Sequence, residues 1–112
     1  MVQRLLDEAD PETPHAIYAK RQLAELIVRS EPFRAARLSQ DVLARAPDDD
    51  RAHASLGLAC LLMGHYQLAE REYRAALALV PHCPWYAHNL GHLLDVALNR
   101  PHEALPLSLI HI

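Results

Sequence analysis

A period of 34 residues limits this chain's fold more than any single motif. Shifted by 34 positions, the sequence meets itself: Ala35 falls on Ala69, Arg37 on Arg71, Leu43 on Leu77, Ala44 on Ala78 and Pro47 on Pro81. The same shift lays Leu56-Gly57 over Leu90-Gly91. A period of this length means stacked copies of one supersecondary unit, none of which can bury its apolar face alone.

Each unit reads as two helices. Leu56, Ala59, Cys60 and Met63 recur at spacings of three and four, which predicts a helix over 51–63 with one apolar face. Gly64-His65 breaks it. A second helix is predicted over 66–79, with Ala69, Tyr73, Ala76, Leu77 and Val80 inward, and Pro81 closes it. The run Asp48-Asp49-Asp50 supplies an N-cap and negative charge at the next helix's positive end. Pro84 suits the first turn of the third unit's opening helix, and Ser30 is expected to cap the helix that Pro32 begins. Gly57, in mid-helix, costs about 1 kcal/mol relative to Ala. The expectation is that the paired helix approaches too closely there for a side chain, with Ala24 and Gly91 serving the other units. Gly64 is expected to end its helix with positive φ.

These residues resemble the tetratricopeptide repeat, through Leu56-Gly57, Gly64, Tyr66, Ala69, Tyr73, Ala76, Leu77 and Pro81 at the family's separations. The chain departs from the pattern at His53 and Cys60, both packing positions. The third unit has Leu90-Gly91 in phase and then one extra residue, so Ala104 falls 35 after Ala69. The first unit is divergent, with Leu23-Ala24 for Leu-Gly and a shortened turn around Ser30. The resemblance implies an all-α fold, a right-handed α-α superhelix in which antiparallel helix pairs stack as a solenoid. The expected organisation is one domain, with 1–14 the tail of a preceding repeat, 16–49 repeat 1, 50–83 repeat 2 and 84–112 a partial repeat 3. In that family the inner helix of each pair lines a concave groove that holds a peptide or a partner's helix. Carried over by position, the groove presents Tyr18, Arg21, Gln22 and Glu25, then Arg51, Ala54, Ser55, Leu58, Leu61 and Leu62, then Trp85, His88, Asn89, His92 and Asp95. Leu58 and Leu61 are expected to supply affinity, and Arg21, Asn89, His88 and His92 orientation. Some members clamp a C-terminal carboxylate. Arg21 and Asn89 sit at two clamp positions, but Glu25, Ser55 and Trp85 at others would not serve.

Chemistry is sparse. The chain has no GxGxxG, P-loop, GxSxG or HExxH, and we expect no enzyme, cofactor or metal. His88 and His92 share a helix face with Asp95 one turn on, a set that suits zinc or nickel, but they read as groove-facing polar residues. Cys83 in the turn "PHCPWY" reads as an inert thiol. A net charge of −3 with no basic patch argues against nucleic acid, and no apolar run approaches a membrane span. Two distant cysteines favour a reducing compartment, and the expected location is cytoplasmic. The codons CTG TCT CTT ATA CAC ATC would encode the final "LSLIHI", and they resemble the end of a transposase library adapter. Residues 107–112 are therefore read as non-native and the chain as a fragment, an ordinary helical tail being the alternative. The leading expectation is a protein-interaction module for a partner peptide or helix. The alternatives are an auxiliary segment of a larger enzyme and a scaffold that self-associates through exposed repeat ends.

Overall fold

The structure is a computed structural model and describes residues 13–100 and 103. Five α-helices follow in order: α1 Pro14–Ile27, α2 Pro32–Arg45, α3 Asp50–Leu62, α4 Tyr66–Leu79 and α5 Pro84–His92. A π-helical segment, Leu93–Ala97, continues α5. No strand occurs among the described residues. Connections at 28–31, 46–49, 63–65 and 80–83 are too short for anything but a turn between packed neighbours.

The period is visible in the backbone. α2 and α4 begin at Pro32 and Tyr66 and end at Arg45 and Leu79, and α3 and α5 begin at Asp50 and Pro84, each pair 34 apart. Ala46 and Val80 end their helices with nearly the same dihedrals, φ −133°, ψ 77° and φ −132°, ψ 80°. Both sit outside the helical region because a proline follows each. The turns then repeat bond for bond: Asp49 N–H donates to Ala46 O (3.1 Å) as Cys83 N–H donates to Val80 O (3.2 Å).

Alanine sets the spacing of the core. Ala35, Ala59, Ala69, Ala76 and Ala87 are completely buried, as are Tyr73, Leu90 and Leu94. Small side chains let helix backbones approach, and the larger residues fill what remains. Gly57 marks one such close approach. A Cβ built there would lie 3.3 Å from three atoms of the Tyr73 ring, tighter than ordinary contact. The mid-helix glycine therefore has the packing cause its sequence position implied.

Helix ends account for the turns. α3 stops at a Schellman motif: His65 N–H donates to Cys60 O (2.8 Å), Gly64 N–H to Leu61 O (3.1 Å), and Gly64 has φ +82°. The third unit makes the corresponding stop one residue later. Asn99 takes the left-handed conformation (φ 53°), and Arg100 N–H donates to Leu94 O. Leu94 is 34 after Cys60, but Arg100 is 35 after His65, so the insertion lies between them. The π-helical segment absorbs that extra residue, with Leu98 N–H reaching back five residues to Leu93 O (3.0 Å).

Three expectations are corrected. Ser30 caps no helix start: Glu31 occupies the N-cap of α2 without a side-chain bond, and Ser30 Oγ instead donates to Ile27 O at 3.2 Å. Val80 does not face inward; it is 38% exposed, because the backbone leaves the helix at that residue. Pro14 belongs to α1 rather than to a preceding tail, since Thr13 Oγ1 accepts from Ala16 N–H at 3.1 Å and begins the helix one residue later. The rest of the expected tail, and residues 104–112, lie outside the described residues.

Gly57→Leu should lower the unfolding free energy by about 2 kcal/mol or more in urea titrations followed by circular dichroism, despite leucine's better helix propensity. Gly64→Ala, with open space around its Cβ, should cost only the left-handed strain of about 1 kcal/mol. An unchanged midpoint for Gly57→Leu would contradict the packing.

Candidate binding groove

Arg51, Ala54, Ser55 and Leu58 fall at helical spacings of three and four along one face of α3. With Glu25 and Val28 at the end of α1, and Tyr86 and Asn89 on α5, they line a cleft whose wall is completed by Tyr73 of α4. The first helix of each of three units thus contributes.

Its charges are paired. Arg51 Nε donates to Glu25 Oε2 at 2.9 Å, and Arg51 Nη2 donates to Glu25 Oε1, a two-point fork between units one and two. The Glu25 bond raises the Arg51 guanidinium still further above its ordinary value. Arg21 Nη1 donates to Asp49 Oδ2 at 2.8 Å, and its guanidinium lies 5.4 Å from the Tyr18 ring centre. Asp49 has two tasks, since its Oδ1 also accepts from Ala52 N–H at 3.0 Å and caps α3. Asp50 accepts from the Tyr86 hydroxyl at 2.6 Å. Burial, reinforced by that bond, pushes the Tyr86 phenol well above its usual range.

Tyr73 is the exception. It is completely buried and its hydroxyl makes no hydrogen bond. Burial pushes the phenol up to about 12, against opposing effects from Arg29 and the Asn89 side chain.

Outside the cleft, two polar clusters join other elements. His53 Nδ1 lies 2.8 Å from Glu72 Oε1 and its Nε2 2.8 Å from Pro47 O, tying the α2–α3 turn to α4. Glu70 accepts from Arg100 at 2.9 and 3.1 Å and from Arg74 at 2.9 Å. Burial alone would raise the Glu70 carboxyl, but these arginines outweigh it and hold it below 4.5.

Of the expected groove residues the structure gathers Glu25, Arg51, Ala54, Ser55, Leu58 and Asn89. Arg21 is engaged by Asp49 and is not in the cleft. Leu58 and Leu61 are half-buried and pack on the core, so the expected apolar strip is less exposed than its sequence implied; Leu62 is 45% exposed. Trp85, at 75% exposed, stands outside the cleft. The His88 and His92 rings stack nearly parallel with centres 6.4 Å apart. Among the described residues, Asp95 does not join them in a group of three metal-binding side chains. Burial raises the Cys60 thiol; Cys83 is half-buried and also free. Sequence reasoning missed Val28, Tyr73 and Tyr86 as cleft residues. Tyr86 was findable, because Asp50 lies 36 residues before it and the period brings neighbouring helix starts together.

A scan against family models finds no match to the chain, and neither does a search of curated proteins. Among the described residues, no helix is long and apolar enough to cross a membrane.

Asp49→Ala should cost about 2 kcal/mol in urea titrations, since one substitution removes the cap and the partner of Arg21. Asp49→Asn, which keeps a capping oxygen, should recover about half. Because Glu70 is held below its ordinary value, its contribution is complete above pH 4.5 and is lost as pH falls through the folded value. The stability gap between the native chain and Glu70→Gln should therefore close on acidification. A gap constant with pH would rule out the ion-pair cause.

Proposed function

We propose that the chain is a tetratricopeptide-type module, its helix pairs stacked as a right-handed superhelix, that holds a partner's peptide or helix in the α1–α3–α5 cleft. It acts by binding rather than by catalysis, in a reducing, cytoplasmic setting. The observation that carries this reading is the cleft itself: the opening helices of three successive units all contribute to its lining. Apolar surface at Val28, Ala54 and Leu58 provides contact area, and Asn89 and Ser55 provide orientation. The repeated turn hydrogen bonds support the family reading, since they follow the period. Free Cys60 and Cys83 suit a reducing compartment.

A random peptide library displayed on phage and selected against the immobilised chain tests the proposal. Selected peptides should lose at least tenfold in affinity with Leu58→Glu, and should keep it with Leu68→Glu, which lies on another face. Circular dichroism should show helicity retained in both. Equal binding by both variants would place recognition elsewhere, and loss of helicity in Leu58→Glu would show Leu58 to be core.

A further inference from the structure

The two joints between successive units are filled differently. Where unit two meets unit three, Leu94 is completely buried and the Glu70 carboxylate accepts from Arg74 and Arg100. One period earlier, where unit one meets unit two, Cys60 stands for Leu94, Ala36 for Glu70 and Gln40 for Arg74. Counted across the inserted residue, His65 stands for Arg100. Both the bulk of the leucine and the charge of the carboxylate are therefore missing. A cavity of about 240 Å³ lies there, between α2 and the paired helices α3 and α4, with buried Ala36, Leu56 and Cys60 at its floor. It shares no lining residue with the α1–α3–α5 cleft.

Its mouth is accessible and carries one sign of charge. Phe33 and Leu68, 68% and 42% exposed, form an apolar rim. The ionisable and amide groups of the lining are Arg37, Gln40 and His65, all exposed, and no carboxylate joins them. Among the described residues the Arg37 guanidinium has no ion pair or hydrogen bond. Carboxylates on the neighbouring elements are turned to other partners. Glu31 lies 3.7 Å from Arg34, Asp41 3.5 Å from Lys20, and Glu72 2.8 Å from His53.

We propose that this cavity docks an acidic, apolar motif of a partner protein: one leucine-sized side chain seated against Cys60, with an adjacent carboxylate facing Arg37, Gln40 and His65. The partner supplies from outside what Leu94 and Glu70 supply within the next joint. Size argues for a single side chain, since pockets for whole small ligands run to roughly 300–1,000 Å³. Charge argues for an acid, since a guanidinium forms a charge-assisted bond with a carboxylate, and a basic motif would meet Arg37 with like charge.

Three capped peptides test the site: acetyl-Asp-Leu-Asp-amide, acetyl-Asp-Ala-Asp-amide and acetyl-Lys-Leu-Lys-amide. Each is titrated into the isotopically labelled chain and followed by nuclear magnetic resonance. The acidic leucine peptide should shift the Met63 and Leu56 methyl signals saturably and bind about threefold or more tighter than either of the others. Arg37→Ala, an exposed change, should weaken it about threefold without weakening the basic peptide. Cys60→Leu, which places the third unit's residue in the cavity, should abolish the shifts while the melting temperature holds or rises. A basic peptide bound as tightly as the acidic one overturns the proposal, as does unchanged affinity in a folded Arg37→Ala. Shifts confined to Leu58 and Asn89 would place the peptide in the groove and overturn it too. Octanoate bound more tightly than the acidic leucine peptide overturns the protein partner in favour of a free amphiphile. No shift at Met63 with any peptide overturns the site and leaves the groove reading standing.

Discussion

The Tyr73 ring lies against the backbone of Gly57, and much of the remaining architecture follows from that contact. It fixes how closely α3 and α4 pair, because a Cβ at Gly57 would already press on the ring at 3.3 Å. The pairing distance sets which face of α3 stays free. That free face carries Arg51, Ala54, Ser55 and Leu58, the central wall of the cleft, and the same tyrosine borders the cleft from α4. One contact therefore connects the packing inside a unit to the surface the units offer together. The first unit has Ala24 where the second has Gly57, and Ser39 where the second has Tyr73. A methyl on the first helix goes with a smaller partner on the second.

Joints between units rest on a different chemistry. Glu25–Arg51, Asp50–Tyr86 and Glu70–Arg100 each cross from one unit to the next, and Arg21–Asp49 ties α1 to the N-cap of the helix that opens the second unit. Solvent-facing pairs of this kind contribute modestly, but several of these are partly shielded, and Asp49 also caps a helix. Charged residues near a groove are easily read as ligand contacts. Here Arg21 and Glu25 are occupied in holding neighbours in register.

The fold was legible in the sequence wherever backbone chemistry dictates structure. Pro47 and Pro81 end helices whatever surrounds them, Gly64 must take the positive φ of its turn, and the apolar spacing of Leu56, Ala59 and Cys60 has one helical solution. The extra residue of the third unit was visible as a shift from 34 to 35, but not its resolution into a π-helical turn, which depends on how Leu93 and Leu94 bury. The site was less legible because side-chain pairing is tertiary. Nothing local shows that Arg21 finds Asp49, that Ser30 turns back to Ile27, or that the Tyr73 hydroxyl is left without a partner.

A double-mutant cycle between Gly57 and Tyr73 tests the central contact most directly. Urea unfolding would be measured for Gly57→Ala in the native chain and in Tyr73→Leu. If the ring is what excludes a side chain, Gly57→Ala destabilises the native chain but gains its helix propensity of about 1 kcal/mol once the ring is gone. An identical effect in both backgrounds would show that the two positions are uncoupled, and that the pairing of α3 and α4 is set elsewhere.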